Sequence, residues 1–451
     1  MSTVDVLEPS LSKKVKIGYG IGDFGANLLF QSVALYLLFY FTDVMMIDAA
    51  VAGSLFLVAK LWDAVSDPLM GNLSDRTRTR YGAKRVYLLI GAIPLGISFF
   101  LLFYGPQLDG LAKNAYALAV FVCFCTCYTI VNVPYGSLTA AMSKNSQERA
   151  EISGYRMGFA LLGTLVAAGI TKPLVAAAVT PSGGFRTVGL VFGFAAALFT
   201  LVTFFSTSEK VSPDCSAEST LKTDLSCILK NKPFLVLTLA TLFQYIALGI
   251  IASMVNYYFK YALPMEDFIP IAFLSLFATA IAAMPFWVWL SARGGKRLVF
   301  NLGMIILAIS LLLLFFVTEP CRLHIIPILM FGGLGLSTIY LSPWSMVPDT
   351  VEYAEWKLGN RREGTLYGVF YFAQKLAIAL SGFICGRGLA LTGYIPNQVQ
   401  TFAAERGIRT LMVFIPVIII TFGIIAIHFY TIDADFHQQM NREIEGVHID
   451  E

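Results

Sequence analysis

Charged residues are scarce in this sequence. Asp, Glu, Lys and Arg make up 14% of the 451 residues, whereas hydrophobic residues make up 57%. A soluble globular protein carries about 25% charged residues, so this composition is typical of a chain that lies in lipid. The formal net charge is only +3, and the sequence has no basic run long enough to bind nucleic acid. Nucleic acid is therefore excluded as a partner.

Side chains that ligate metals or carry redox chemistry are also few. The sequence has seven cysteines and four histidines. Cys123, Cys125 and Cys127 alternate within an apolar run, a spacing that scatters them around a helix and favours a packing role. Neither a zinc site nor a histidine-based catalyst is predicted, and no cofactor is expected. The apolar segments also contain no nucleophile and base pair, so an enzyme is not predicted.

Long apolar segments, each long enough to span a membrane as a helix of about 20 residues, follow one another along the chain. The only long hydrophilic connection covers residues 207–232. The sequence predicts an all-α polytopic membrane protein with an N-terminal half (1–206), a linker (207–232), a C-terminal half (233–430) and a tail (431–451). The twelve predicted spans lie at 16–42, 50–72, 84–104, 115–138, 152–178, 187–206, 233–259, 267–291, 298–317, 323–347, 364–390 and 409–430.

Lysine and arginine are unevenly distributed between the two sides of the predicted spans. The side that carries both termini holds 21 of the 32 basic residues, the opposite side holds eight, and three lie within spans. Cytoplasmic loops carry the excess of basic residues in membrane proteins. Both termini are therefore predicted to lie in the cytoplasm.

A basic, Gly-containing turn recurs at equivalent places in the two halves. Residues 71–76 (GNLSDR) join the second and third spans, and residues 292–297 (ARGGKR) join the eighth and ninth. Two six-helix halves with such a repeat are typical of the parallel repeat of major facilitator transporters. The sequence therefore predicts twelve transmembrane helices in the major facilitator fold.

Six charged residues lie within the predicted spans, where a charge costs a few kcal/mol or more and indicates a functional site. They are Asp23, Lys60, Asp63, Asp67, Arg156 and Lys375, whose charges sum to zero. Lys60, Asp63 and Asp67 share one helix face. Because two carboxylates one turn apart repel unless a cation or proton lies between them, we expect Asp63 and Asp67 to bind a coupling ion. Ser66 and Thr129 are candidate extra ligands, sodium is a candidate ion, and a purely structural ion-pair lattice is the alternative.

Polar side chains at helical spacing favour a sugar pocket beside these charges. Tyr128 and Asn132 share one face of the fourth span, and Asp23 and Asn27 share one face of the first. Hydroxyl and amide groups match sugar hydroxyls as donors and acceptors, although a single intramembrane Asn often only bonds another helix. Candidates for the opposite wall are Tyr340, Trp344, Gln374 and Lys375.

Three motifs resemble those of the glycoside-pentoside-hexuronide:cation symporter family. They are residues 16–23 (KIGYGIGD), 62–71 (WDAVSDPLMG) and 349–353 (DTVEY), and the resemblance covers almost the whole chain. It implies the major facilitator fold, alternating access, and sugar uptake driven by sodium or a proton across a bacterial cytoplasmic (inner) membrane. A lipid bilayer and a small sugar are the implied partners, with no obligate protein partner.

The resemblance also implies roles for individual residues. Asp63 and Asp67 match the family's cation-site carboxylates, with Thr129 beside them, while Tyr128, Arg156 and Lys375 match a tyrosine, an arginine and a lysine of the sugar pocket. Tyr340 stands where a galactoside-transporting member has a tryptophan. Where galactoside-transporting members have two aspartates and a tryptophan, this chain has Asn27, Asn132 and Gly136.

These exchanges remove two negative charges and leave Arg156 and Lys375, so we expect the pocket to accept an acidic sugar. Residues 132–138 (NVPYGSL) and 393–400 (GYIPNQVQ) resemble the family's glucuronide branch. A glucuronide or another acidic glycoside is therefore the favoured substrate. A neutral β-glycoside or pentoside is the near alternative, and lysolipid transport on the same fold is a further one.

Opposite charges also cluster in the connections on the predicted cytoplasmic side. We expect them to form an inner gate whose ion pairs break as the two halves rock. The gate residues predicted are Asp75, Arg76, Arg149, Asp349, Glu355 and Arg361.

Overall fold

The computed structural model describes residues 11–142, 146–209, 228–358, 363–433, 436–437, 439–440 and 442–443. Within these ranges all regular structure is helical. Two compact units are formed, one by the described residues of Met1–Val33 and Val65–Cys215 and the other by those of Ala34–Ala64 and Ser216–Glu451.

The first unit is built on the N-terminal helices. They are α1 (Lys13–Ser32), α3 (Arg85–Leu102), α4 (Gly110–Met142), α5 (Ser146–Ala176) and α6 (Pro181–Ser206). The helix α2 (Ala49–Arg76) belongs to both units, because the boundary along the chain falls between Ala64 and Val65. Helix α1 packs against α5 and α6, and α3 packs against α4 and α6.

The second unit contains the later helices and also the end of the first predicted span. Two π-helical segments, Val33–Leu37 and Tyr40–Val44, continue the chain beyond α1. The helices are α7 (Lys232–Tyr257), α8 (Ile269–Gly294), α9 (Lys296–Phe315), α10 (Arg322–Leu358), α11 (Glu363–Leu391), α12 (Phe402–Met412) and α13 (Phe414–His428). Helix α7 packs against α11 and α13, and α10 packs against α8 and α9.

Glycines bring the helices into close contact within each unit. A Cβ atom on Gly96 of α3 would lie 2.6 Å from the carbonyl oxygen of Gly193 of α6. In the second unit, a Cβ atom on Gly335 of α10 would lie 2.5 Å from the carbonyl oxygen of Gly303 of α9. Small residues let helix backbones approach each other where lipid supplies no hydrophobic driving force between helices. The positions of these glycines therefore determine which helix faces meet.

The described helices agree with the predicted polytopic fold. Eleven of them are long and apolar enough to cross a membrane. The first predicted span is not among these eleven: α1 has 20 residues and carries Lys13, Lys14, Lys16 and Asp23. The twelfth predicted span consists of two helices, α12 and α13, that meet at Val413 and together cover Phe402–His428.

Candidate functional site

An arginine and an aspartate form the central polar pair of the first unit. Arg156 of α5 donates from Nε to Oδ2 of Asp23 on α1 over 2.5 Å, and from Nη1 to Oγ1 of Thr139 over 3.3 Å. Its guanidinium carbon lies 5.5 Å from the ring centroid of Tyr19 and 4.9 Å from that of Tyr135, within the range of a cation–π contact. Two predicted substrate residues, on different helices, are thus brought together.

The other polar residues predicted for this wall lie on α1 and α4. The Asn27 side chain donates to the carbonyl oxygen of Asp23, one turn earlier on the same helix. Tyr128 and Asn132 line one small cavity together with Tyr135. A Cβ atom on Gly136, four residues beyond Asn132, would meet no described atom within 4 Å. There is therefore open space on the helix face that carries Asn132.

Asp67 lies in the first unit and is held by a hydroxyl. Thr129 donates from Oγ1 to Oδ1 of Asp67 over 2.9 Å, and the hydroxyl oxygens of Ser66 and Thr129 are 3.2 Å apart. Three of the four predicted cation ligands therefore lie side by side. Carboxylate and hydroxyl oxygens are suitable ligands for a hard cation such as sodium.

Asp63, one turn earlier on α2, lies in the second unit between two lysines. Lys375 of α11 approaches Oδ1 to 3.1 Å, and Lys60 donates to Oδ2 over 3.3 Å. The side chain of Asp63 is only 2% exposed, and that of Lys60 is 5% exposed. Lys375, predicted to contact substrate, thus neutralises a carboxylate predicted to bind the cation. A cation that reached Asp63 would have to displace one of the two ammonium groups.

Aromatic rings surround the remaining residues predicted for the second wall. Trp344 of α10 lies 5.1 Å from Tyr371 and 5.3 Å from Phe370 between ring centroids. Tyr340 lies one turn before Trp344 and is half-buried. The side-chain nitrogen of Gln374 is buried and has no hydrogen-bond partner in the described part of the chain. A buried donor of this kind costs free energy until a ligand or water accepts from it.

Only part of the predicted inner gate can be described. The Asp349 carboxylate accepts from Lys296 over 2.7 and 2.8 Å, Arg76 is exposed, and Glu355 is half-buried. Arg361 and the side chains of Asp75 and Arg149 lie outside the described residues. The gate therefore stays a prediction, to which the structure adds Lys296 as the partner of Asp349.

The C-terminal tail contributes to the same cluster. His437 Nε2 lies 2.6 Å from Glu352 and 3.5 Å from Asp349. Asp349, Glu352 and His437 bring one ligand atom each within 4.8 Å of one another, a donor set that also suits a divalent metal. Burial, and then these two carboxylates, raises the pKa of the neighbouring Tyr430 hydroxyl. Sequence reasoning missed His437 because a lone histidine in a tail carries no motif.

A second polar cluster, also missed, surrounds Asp43 at the end of the first predicted span. Lys260 donates to its Oδ1 over 2.9 Å, Tyr394 donates to its Oδ2 over 2.5 Å, and Tyr261 also donates to the carboxylate. The Asn397 amide donates to the backbone carbonyl of Asp43 over 2.7 Å. The acidic residue one position beyond predicted span 16–42 was a signal, but Lys260, Tyr261 and Tyr394 lie more than 200 residues away along the chain.

Among known proteins, one family model matches nearly the whole length of the chain. The family model described as "MFS/sugar transport protein" matches residues 18–434. In fold, the chain is similar to the nucleoside transporter NupG, with a TM-score of 0.64 and 12% identity over 92% of this chain and 100% of that one.

Three relatives match the chain along almost its full length. An uncharacterized symporter of Bacillus subtilis, YnaJ, is 36% identical over 97% of this chain and 95% of its own. The isoprimeverose transporter of Lactiplantibacillus pentosus is 30% identical over 97% and 92%. The glucuronide carrier protein homolog of Escherichia coli is 30% identical over 98% and 97%.

Proposed function

The chain belongs to the family of MFS/sugar transport proteins, and we propose that it takes up an acidic glycoside together with a cation. Membership of this family makes it a multi-pass membrane transporter rather than an enzyme. The cation-coupled symport of a glycoside follows from the family and from symporter relatives. The acidic nature of the substrate is the further step, and it rests on the pocket residues.

The observation that carries this proposal is the environment of Arg156. Asp23 and Thr139 accept from Nε and Nη1, and two tyrosine rings lie against the guanidinium. Within the described residues Nη2 makes no hydrogen bond, and the side chain is 18% exposed. A fixed guanidinium with an available N–H edge is a receptor for a carboxylate or sulfonate. The relative named as a glucuronide carrier homolog supports the same substrate class.

Asp63, Asp67 and Lys375 supply the coupling in this proposal. A cation binds to the carboxylates of Asp63 and Asp67, with Ser66 and Thr129 as hydroxyl ligands. Because Asp63 already contacts Lys375 at 3.1 Å, the cation releases this ammonium, which is then free to orient toward the hydroxyl groups of the sugar. By thermodynamic linkage the sugar tightens cation binding by the same factor.

The location and orientation are also part of the proposal. The protein lies in a bacterial inner membrane with both termini in the cytoplasm, which the excess of basic residues on that side supports. Transport alternates access between the halves 1–206 and 233–430. A membrane-impermeant thiol reagent added to intact cells should leave a cysteine placed at Ser12 unlabelled, and labelling there would invert the orientation.

Uptake into proteoliposomes tests the function. We expect labelled methyl β-D-glucuronide to accumulate under an imposed sodium or proton gradient, and methyl β-D-glucoside to accumulate much less. Asp63→Asn should abolish gradient-driven accumulation. Asp267→Asn is the matched control, because the carboxylate of Asp267 is 70% exposed. Accumulation of the neutral glucoside alone would favour the neutral-glycoside alternative, for which the isoprimeverose transporter is the relevant relative. Accumulation of lysolipid alone would show that the substrate is not a sugar.

A further inference from the structure

We propose that Asp23 is a second coupling site: an acidic substrate replaces Asp23 as the partner of Arg156, and Asp23 takes up one proton. This inference rests on the proposed acidic substrate and goes beyond the carboxylates of α2. It assigns Asp23 a role in the transport cycle that is distinct from contacting the sugar.

The rings of Tyr19 and Tyr135 hold the guanidinium of Arg156 in place, so Asp23 is the partner of Arg156 that a bound anion can replace. The hydroxyl of Tyr19 donates to the carbonyl oxygen of Tyr135 over 2.6 Å, and the hydroxyl of Tyr135 donates to the carbonyl oxygen of Tyr19 over 2.8 Å. This reciprocal pair fixes the two rings that contact the guanidinium of Arg156. An anion that binds Arg156 therefore comes to a preformed site. For this anion to accept from both Nε and Nη2 as a bidentate partner, only the carboxylate of Asp23 has to give up its bond.

Close helix packing explains why Asp23 reaches Arg156 at all. A Cβ atom on Gly22 would lie 2.7 Å from both Oγ1 of Thr203 and the ring of Tyr135. A Cβ atom on Gly20 would lie 2.6 Å from the ring of Phe159 on α5. These two glycines let α1 approach its neighbours, and the next residue is Asp23. The close approach of α1 to its neighbours thus places Asp23 within reach of the Arg156 side chain.

The charges around Asp23 make the proton necessary. Arg156 is the only cation that the described residues place at hydrogen-bond distance from it. Among the described residues, the other titratable groups that face the pair are the hydroxyls of Tyr19 and Tyr135. Lys16, nearly two turns earlier on α1, is already paired with Glu151 at 2.5 Å and has Glu148 at 3.9 Å, so it cannot neutralise a second anion.

Two anions cannot share one buried cation without a large electrostatic cost. Asp23 is 5% exposed, and in such surroundings one of two neighbouring acids is kept neutral by a proton. A sulfonate stays ionised and a sugar carboxylate retains the contact with Arg156, so the proton goes from water to the carboxylate of Asp23. The anionic sugar and the proton then enter together with no net charge, and the cation at Asp63 and Asp67 alone makes transport electrogenic.

Calorimetric titration of the purified full chain in detergent measures this proton directly. The heat of binding is compared in two buffers of different ionisation enthalpy, and the difference gives the number of protons taken up per sugar. With methyl β-D-glucuronide we expect about one proton and an affinity that falls roughly tenfold per pH unit above neutrality, as linkage requires. Methyl β-D-glucoside, if it binds, should take up none.

Asp23→Asn should bind the glucuronide with no proton uptake, and Asp267→Asn should behave as the unmodified chain. Glucuronide binding by the unmodified chain without proton uptake would overturn the exchange, and this measurement does not depend on the folding of any variant. Proton uptake that persists in Asp23→Asn would assign the proton to another group. Binding of the neutral glucoside alone would instead refute the acidic substrate itself, so the two failures are distinguishable.

Discussion

Replacing Lys375 with methionine is expected to tighten sodium binding at Asp63. The Lys375 ammonium lies 3.1 Å from Oδ1 of this carboxylate and occupies a position that the ion needs. Methionine keeps an unbranched apolar stem but removes the charge. Asp63 remains paired with Lys60 at 3.3 Å, so the variant does not leave a buried carboxylate alone and should fold.

The size of the change in sodium Kd follows from the competition between Lys375 and the cation for the carboxylate of Asp63. At an effective dielectric constant of about 20, one such contact contributes about 5 kcal/mol of Coulomb energy. Most of this is offset by the desolvation of both ions. A remaining competition of about 1–3 kcal/mol corresponds to a roughly 5- to 150-fold lower sodium Kd in Lys375→Met.

Equilibrium dialysis of radioactive sodium against the purified protein measures this Kd. Lys14→Met is the matched control, because Lys14 is exposed and its removal should leave the Kd unchanged. An unchanged or higher Kd in Lys375→Met would refute the idea that lysine and cation compete. If the unmodified chain binds no sodium, the same comparison is made for proton binding by difference titration.

The double variant Lys60→Met, Lys375→Met provides an independent check. It leaves Asp63 as a buried charge with neither lysine, at a cost of about 3–5 kcal/mol. Its thermal unfolding midpoint should therefore fall, and sodium chloride should restore it more than choline chloride does, because only sodium binds the folded state. Equal effects of the two salts would contradict a sodium site at Asp63.

Three further predictions concern groups outside the pocket. Glu209 accepts from three backbone N–H groups of residues 83–85 at the start of α3, each over 2.8 Å. Glu209→Ala should therefore cost about 1–2 kcal/mol of folding stability and lower the thermal unfolding midpoint, and an unchanged midpoint would contradict this. Burial, and then neighbouring tyrosines and a carboxylate, raises the pKa of Tyr394, so the thermal stability of the protein should fall as the pH rises above about 10. This fall should be smaller in Tyr394→Phe, and an equal fall in the variant and the unmodified chain would exclude Tyr394 as its cause. Hydrogen bonds from Gln439 and then Trp356 hold the pKa of Glu443 below its ordinary value, so the contact between Trp356 and Glu443 should persist at neutral pH and be lost as the pH falls through this lowered pKa. Tryptophan fluorescence should report the loss of the contact, and Glu443→Gln should abolish this pH-dependent change in fluorescence.

The helices were largely predictable, whereas the partners of the charged residues were not. The predicted span 298–317 corresponds to α9 (Lys296–Phe315) because a long apolar run has one stable form in lipid. The same reasoning missed the junction at Val413 within the last span. Pro416, in the first turn of α13, was the available signal, because proline has no backbone N–H with which to continue the preceding helix.

The charged residues illustrate the limit more clearly. Their cost in lipid predicts that Asp23, Asp63, Arg156 and Lys375 are important, and helical spacing predicts which residues share a face. Spacing along one helix does not tell which other helix lies opposite. The contacts of Arg156 with Asp23 and of Lys375 with Asp63 join residues 133 and 312 positions apart, and they depend on helix register in three dimensions.

The tail contacts determine where a fusion partner can be attached without cost. Phe436 lies 5.6 Å from the ring of Trp356, whose indole nitrogen donates to Glu443 over 2.6 Å. A short polar C-terminus is commonly treated as free for shortening before an affinity tag is added. Here, removal of the residues after Tyr430 would take away the histidine that contacts Glu352 and would uncover the indole of Trp356. Tags and reporters therefore belong beyond Glu443, whose carboxylate accepts from the indole of Trp356, and a shortened protein should be compared with the full chain before its transport rate is interpreted.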